Sequence, residues 1–507
     1  MNPASPSRNS FALSAVCLSA LMMGLEITSI PSILPTLERV LPADFRQLQW
    51  IMNAYTIAMC AVLMAVGTLA DRFGRKRIFL SGIVVFGGAS LICGLANNAP
   101  LLIAARFLQG LSAAAMLACQ VAVLSHQFRD GAERGRAFGW WGIIFGIGLG
   151  FGPVVGGAIV TLASWQWVFL IHVLIAVVTV VCAVKGVEES ADPHATRIDV
   201  AGMVTLSLGV FGIVYLIIQG QEPGLSNPAP LIVLALSVAS LILFVVIERR
   251  IARPMFDFSA FRVRTFSGAL LGSSGMNFSF WPFVVYLPIY LQAALGYDAV
   301  ASGLTVLAYT VPTIVVPPLA ERLLLRRGPG VVIPLGLFTI GAGFILLHFV
   351  ITGEHAGWMT LLPGCILAGI GLGLTNTTVS NTSTAALPPE RAGMASGMDM
   401  SARMISLAVN IALMGFILVT GVSSYLLRAL PRDQSAEMLR TLADAVSAGN
   451  LAAAESHGVD IAMARDALAH GIGGVTLYGA IAAFCLSLLS LIVFERHKAA
   501  QPEMQAG

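Results

Sequence analysis

The chain has 507 residues, 57% of them hydrophobic and only 11% charged, with a formal net charge of +3. Soluble domains run at about 45–50% apolar and about 25% charged, so this chain cannot cover itself with polar surface and its solvent must be lipid. The net charge is too small to suggest a nucleic-acid partner, and all seven cysteines stand singly inside apolar runs, where they read as small buried residues rather than disulfides or metal ligands.

A transmembrane helix needs about 20 apolar residues. In chain order such runs occur near 11–35, 49–70, 78–97, 100–124, 137–162, 166–186, 200–219, 229–247, 266–293, 300–320, 330–351, 358–380, 396–421 and 472–494, fourteen in all. The first run is preceded only by Arg8, is too long for a signal-peptide core and shows no cleavage-like site, so it is read as a span. Between the second and third runs lies "GTLADRFGRKRIF" (67–79), which concentrates Asp71, Arg72, Arg75, Lys76 and Arg77 in one turn. With the N-terminus inside, the cytoplasmic segments hold Arg8, this cluster, Arg129, Arg134, Arg136 and most later basic residues, while the short outer loops hold only Arg39 and Arg46. The positive-inside rule then places both termini in the cytoplasm and 422–471 outside, where its weakly amphipathic stretches predict short helices.

The cluster has a partner. "GTLADRFGRKR" at 67–77 aligns with "PPLAERLLLRR" at 317–327, an offset of 250 residues that sets Asp71-Arg72 against Glu321-Arg322. Repeated halves are typical of secondary transporters, with the substrate site between them. Six spans use only the first 187 residues, so the larger offset reflects an insertion that the runs at 200–219 and 229–247 fill. The expected fold is an all-α integral membrane protein: a six-helix bundle over 1–187, a linker with two extra spans over 188–262, and a second six-helix bundle over 263–507.

At this point the chain resembles the major facilitator superfamily, and within it the fourteen-helix drug:proton antiporter branch, over nearly its whole length. "GTLADRFGRK" is similar to the pattern GxLaDrxGrk through Gly67, Asp71, Arg72, Gly74, Arg75 and Lys76. "LLIAARFLQGLSAA" (101–114) is similar to lxxxRxxqGxgaa through Arg106, Gln109 and Gly110, with Ser112 replacing a glycine. "GLGFGPVVGG" (148–157) resembles the antiporter motif gxxxGPxxGG through Gly148, Gly152, Pro153, Gly156 and Gly157. "LEITSIPSILP" (25–35) resembles lDxTivnvALP, but Glu26 stands for the aspartate and Pro31-Ser32 for Asn-Val. "WQWVFLIHV" (165–173) resembles WRWiFliNvP, with His172 where the pattern has asparagine. The resemblance implies a multi-pass transporter of the inner (plasma) membrane driven by the proton gradient without a cofactor. It also implies a cytoplasmic latch made by Asp71 and Arg75 against the C-terminal half, and a proton-sealing role for the glycine face of the antiporter motif; the spacing of Gly148, Gly152 and Gly156 by itself shows only close helix packing.

Glu26 and Arg106 are the sharpest residues. Histidine aside, they are the only ionisable side chains deep within the first six spans. A charge at the bilayer centre costs about 2.5–3.5 kcal/mol on insertion scales, so each needs a partner. Glu26 is nine residues from Pro35 and Arg106 six from Pro100; at about 1.5 Å per residue their depths differ by roughly 4–5 Å, close enough to meet. They are read as the proton and cation coupling pair. Trp50, Tyr55, Gln109, Phe280, Trp281 and Tyr286 are candidates for a drug pocket, and the lone His172 and His348 for packing or substrate contacts.

No phosphate-cradling GxxxxGK[ST] loop, HExxH or Ser/His/Asp grouping occurs, so the sequence gives neither an ATP-driven pump nor an enzyme. A channel or scaffold does not explain duplicated halves with a buried acid in only one of them. The expected activity is proton-coupled export of hydrophobic or cationic compounds, against the alternative of one dedicated metabolite. Expected partners are the bilayer, the substrate, protons and a periplasmic adaptor, with no metal and no nucleic acid.

Overall fold

A computed structural model describes residues 6–128, 131–191, 199–219, 229–251, 256, 258–353, 356–387, 392–430, 435–456 and 459–498, the side chains of a few helical positions excepted. The described residues form helices α1 (Pro6–Val40), α2 (Phe45–Phe73), α3 (Arg75–Leu95), α4 (Ala99–Gln127), α5 (Gly131–Leu162), α6 (Gln166–Gly186), α7 (Val200–Gln219) and α8 (Ala229–Arg250). After a 3-10 turn at Phe258–Arg262 follow α9 (Arg264–Asn277), α10 (Phe280–Ile289), a π-helical turn at Tyr290–Ala294, α11 (Ala299–Thr310), α12 (Pro312–Val315), α13 (Pro317–Arg327), α14 (Pro329–Ile351) and α15 (Trp358–Ala385). The chain continues with α16 (Ala392–Ala429), α17 (Ala436–Ser447), α18 (Leu451–Ser456) and α19 (Ile461–Lys498). It divides into two compact units, Met1–Ile247 with Asp298–Gly303, and Glu248–Tyr297 with Leu304–Gly507.

Every predicted span falls on helix. Eleven helices among the described residues are individually long and apolar enough to cross a membrane, or twelve if the pair Ala299–Val315 and Pro317–Arg327, bent by 43°, is one span. Two predicted spans are broken. The run 266–293 stops at Phe278–Ser279 before α10 begins; Pro282 has no N–H for the carbonyl of Phe278, so the break falls there. The run 300–320 is cut into α11, α12 and α13 by Pro312 and Pro317.

Lipid-facing chemistry matches composition. Leu231, Ile232, Leu234, Leu236, Ile242 and Leu243 on α8 are all exposed, an arrangement stable only where the surroundings are hydrocarbon. The cysteines need one correction: Cys93, Cys119 and Cys365 are buried but Cys485 is exposed, on an apolar helix where a thiol behaves as one more small hydrophobe. The predicted outer segment 422–471 is shorter than expected, because α16 runs on to Ala429 and α19 starts at Ile461. The short helices expected there are α17 and α18. Ser435 caps α17 by accepting from Met438 N–H at 3.1 Å, and Leu442, Ala443, Val446 and Ala454 bury its apolar side and that of α18.

The two copies of the basic repeat fold differently. The first helix stops at Gly74 (φ +109°), so Arg75, Lys76 and Arg77 open α3; the second runs through Arg326 and Arg327 and stops at Gly328 (φ +77°). Cations suit a helix C-terminus and are disfavoured at an N-terminus. The first copy is compensated by the segment after α6. Glu189 Oε1 accepts from Lys76 N–H at 3.1 Å, its Oε2 lies 3.6 Å from Arg77 Nε, and Lys76 Nζ donates to Val184 O at 2.9 Å.

The seam that fixes α1 within the first unit is made by the antiporter-motif glycines. A Cβ on Gly148 would lie 2.9 Å from Leu21 O and 3.0 Å from Gly24 Cα; one on Gly152 would lie 3.0 Å from Thr28 Cβ, and one on Gly156 2.8 Å from Ser29 O. Thr28 Oγ1 crosses the seam to Gly148 O at 3.3 Å. The motif's smooth face therefore packs against α1, with Pro153 carried inside α5 without ending it. Gly148→Leu should destabilise the protein by about 1–3 kcal/mol or more, because overpacking here meets backbone rather than a movable side chain. Gly142→Leu on the same helix, where a Cβ meets nothing within 4 Å, should be tolerated. Melting in detergent tests this, and equal melting temperatures for the two variants would refute the seam.

A buried charge network as candidate functional site

α1 runs from Pro6 to Val40 with Pro31 and Pro35 inside it, and it carries Glu26 into the middle of the first unit. α4 is started by Asn98, whose side chain accepts from Leu101 N–H at 2.9 Å, with Pro100 in the first turn. Gly110 lets α4 lie directly on α2, where an added Cβ would meet Ala58 Cβ at 2.9 Å. That close approach brings Arg106 beneath α2 and across to α1.

There the predicted pair meets. Arg106 NH1 donates to Glu26 Oε1, and the two side chains are 1% and 0% exposed. The guanidinium has further partners: Nε donates to Ile51 O at 3.0 Å, NH1 also to Gln109 Oε1 at 2.8 Å, and the Tyr55 ring lies 4.5 Å from its carbon. Gln109 in turn donates to Ser90 Oγ at 2.9 Å. Interactions inside such a low-dielectric site are stronger than in water, and unmet ones cost correspondingly more.

A third group joins the pair, one that the sequence marks only as a lone histidine. His172, on α6, places Nε2 2.9 Å from Glu26 Oε2 and is 1% exposed. The contact has ion-pair distance but lies off the line of a hydrogen bond, so Glu26 Oε2, His172 Nδ1 and the Tyr55 hydroxyl are buried without hydrogen-bond partners. Gln49 Nε2 and both amide atoms of Asn53, one turn on along α2, are buried and unpartnered as well. The polar residue at 172 inside an apolar run was visible in the sequence; that α6 turns it toward α1 was not. The other lone histidine packs as expected, with His348 Nδ1 2.9 Å from Gly473 O.

The remaining candidates separate. Trp50 packs on α7, 5.8 Å from Phe211 and 6.1 Å from Tyr215 between ring centres. Trp281 stands edge-on to Phe280 in the second unit, where the buried Tyr286 donates to Ile411 O. The side chain of Asp71 lies outside the described residues, and Arg72 is exposed at the end of α2.

The second unit also corrects an expectation, since a buried acid is present in both units. Asp399 and Arg403, i and i+4 on α16, pair at 3.0 Å. Arg403 also donates to Asn376 Oδ1 and, at 3.0 Å, to Ser380 Oγ on α15, while Ser273 of α9 donates to Asp399 Oδ1 at 2.8 Å. Opposite charges four apart inside the run 396–421 were legible in the sequence. Among the described residues no group of three or more His, Cys, Asp or Glu side chains is placed to hold a metal.

Residues 16–411 match the sequence profile of the Major Facilitator Superfamily. Multidrug resistance protein Stp of Mycobacterium tuberculosis is 31% identical over 83% of this chain and 78% of its own length. Puromycin resistance protein pur8 of Streptomyces alboniger is 31% identical over 83% of this chain and 84% of its own. Among solved structures, a bacterial homolog of the human lysosomal transporter Spinster, inward-facing and unoccupied, superposes with a TM-score of 0.63 at 15% identity, covering 97% of this chain and 98% of that one. That likeness concerns the fold alone.

Proposed function

The chain belongs to the Major Facilitator Superfamily, and on that premise we propose that it exports hydrophobic or cationic compounds across the cell membrane in exchange for protons. The observation that carries this is Glu26, a carboxylate with no exposed surface in an apolar bundle, one oxygen on Arg106 and the other without a hydrogen bond. Ionisable groups at such depth mark ion and substrate pathways. Resistance to drugs in the named relatives supports export of foreign compounds. The unpartnered amides of Gln49 and Asn53 supply donors and acceptors for a polar substrate edge, and Tyr55 a face for a cation.

In the cycle proposed, the site facing the cytoplasm releases its proton and takes the substrate; facing outward, it takes a proton and the substrate leaves. Glu26→Gln keeps the shape of the side chain and removes its charge. In proteoliposomes, uptake of labelled tetraphenylphosphonium driven by an imposed pH gradient should fall to the level of protein-free vesicles in this variant. Gradient-driven uptake at the wild-type rate by a normally folded Glu26→Gln protein would contradict the assignment.

The orientation proposed has both termini in the cytoplasm, as the Lys/Arg distribution supports. Ser435 and Ala191 are exposed positions in segments assigned to opposite sides. With the native cysteines replaced, a cysteine at 435 should react with an impermeant thiol reagent added to intact cells, and one at 191 should react only after lysis. The reverse pattern would overturn the orientation.

A further inference from the structure

Resting on the reading of Glu26 as the coupling residue, we infer that His172 carries the coupling proton for it, the imidazole taking the proton at Nδ1 while its Nε2 faces Glu26 Oε2. The geometry divides the carboxylate between a guanidinium and an imidazole. Oε1 serves Arg106, and Oε2 faces the imidazole at 2.9 Å. If Glu26 alone took the proton, Arg106 would lose its only carboxylate partner among the described residues while remaining buried. The imidazole removes that conflict. It accepts the proton while Glu26 stays ionised and keeps both contacts.

The charge count then makes exchange obligatory. With Glu26 ionised, Arg106 charged and His172 neutral, the cluster has no net charge. One proton makes it +1, and one monovalent cation bound beside the unprotonated cluster also makes it +1. Holding both would put two uncompensated positive charges into an apolar interior, so each displaces the other. The groups that face the imidazole or its partners are Glu26 on α1, Tyr55 on α2, Cys93 on α3 and Arg106 on α4. From Ala137 to Leu162 α5 carries no ionisable side chain. Phe86 holds the ring edge-on, with centres 5.8 Å apart. Nδ1, buried and without a hydrogen-bond partner, is the nitrogen left to receive or release the proton. Both members of the dyad are also positions where the sequence departs from the motifs it resembles, glutamate for aspartate at 26 and histidine for asparagine at 172, and the longer acid is the one that reaches across.

The test is proton release driven by tetraphenylphosphonium, a cation with no titratable group, followed in proteoliposomes from pH 5 to 9. His172→Asn should move the pH profile by about one unit or more and lower exchange at pH 7 at least about fivefold. Glu26→Asp, which retracts the carboxylate from the ring, should produce the same displacement, and the double variant should add nothing to it. His172→Gln serves if the asparagine variant does not fold. A profile unchanged from wild type in the His172 variants overturns the inference and leaves Glu26 standing. Loss at every pH without displacement makes His172 a structural support, which also overturns it. Exchange that survives Glu26→Gln instead refutes the reading on which the inference rests.

Discussion

A buried guanidinium and a buried carboxylate must neutralise each other, and the first unit is arranged around that demand. Glu26 and Arg106 come from helices far apart in sequence, and each is useless and costly without the other. The glycine seam between α1 and α5 fixes the depth and rotation of Glu26, and Gly110 allows the approach that brings Arg106 under α2. Ile51 O, Gln109 and the Tyr55 ring complete the shell of the cation. Residues that looked like separate motifs are thus supports of one ion pair.

The two units hold their charges differently. In the second, Asp399 receives Arg403 and Ser273, and the three guanidinium nitrogens of Arg403 reach Asp399, Asn376 and Ser380. That network ties α9, α15 and α16 together with its donors matched, and breaking such a buried pair typically costs about 3–5 kcal/mol. It has the chemistry of a brace. In the first unit the carboxylate retains an oxygen with no hydrogen bond, the imidazole a free nitrogen and Tyr55 a free hydroxyl, and the neighbouring Gln49 and Asn53 are also unmet. Unmet polar groups at full burial are expensive in a bundle facing lipid, and here one of them is the free oxygen of the acid to which function is assigned.

Much of this is legible in the sequence alone. Composition required lipid, hydrophobic runs located each span, and the depth estimate that brought Glu26 to Arg106 needed only the rise of a helix. Rotation was the missing quantity. An apolar run that is hydrophobic all round does not say which face is inward, so His172 read as an isolated packing residue although it points at Glu26. The same ambiguity assigned Trp50 to a pocket when it stacks on α7. The alignment of the basic repeat was sound as sequence, yet Gly74 ends one helix before the arginines and Gly328 ends the other after them, because glycine position and not charge sets where a helix stops. The Asp399–Arg403 pair is readable from its i, i+4 spacing inside an apolar run.

Linkage offers the most direct test of the central claim, that one buried cluster admits either a proton or a cation. If binding of one expels the other, the coupling is reciprocal and measurable without any membrane. Purified protein in weakly buffered detergent near pH 7 is titrated with tetraphenylphosphonium while released protons are counted. A cluster that exchanges one for the other gives a fractional release per cation bound that grows toward about one proton as the pH is lowered through the range where the cluster is protonated, and no release from Glu26→Gln. Cation binding by the wild-type protein that releases no protons at any pH, or equal release from wild type and Glu26→Gln, would contradict it.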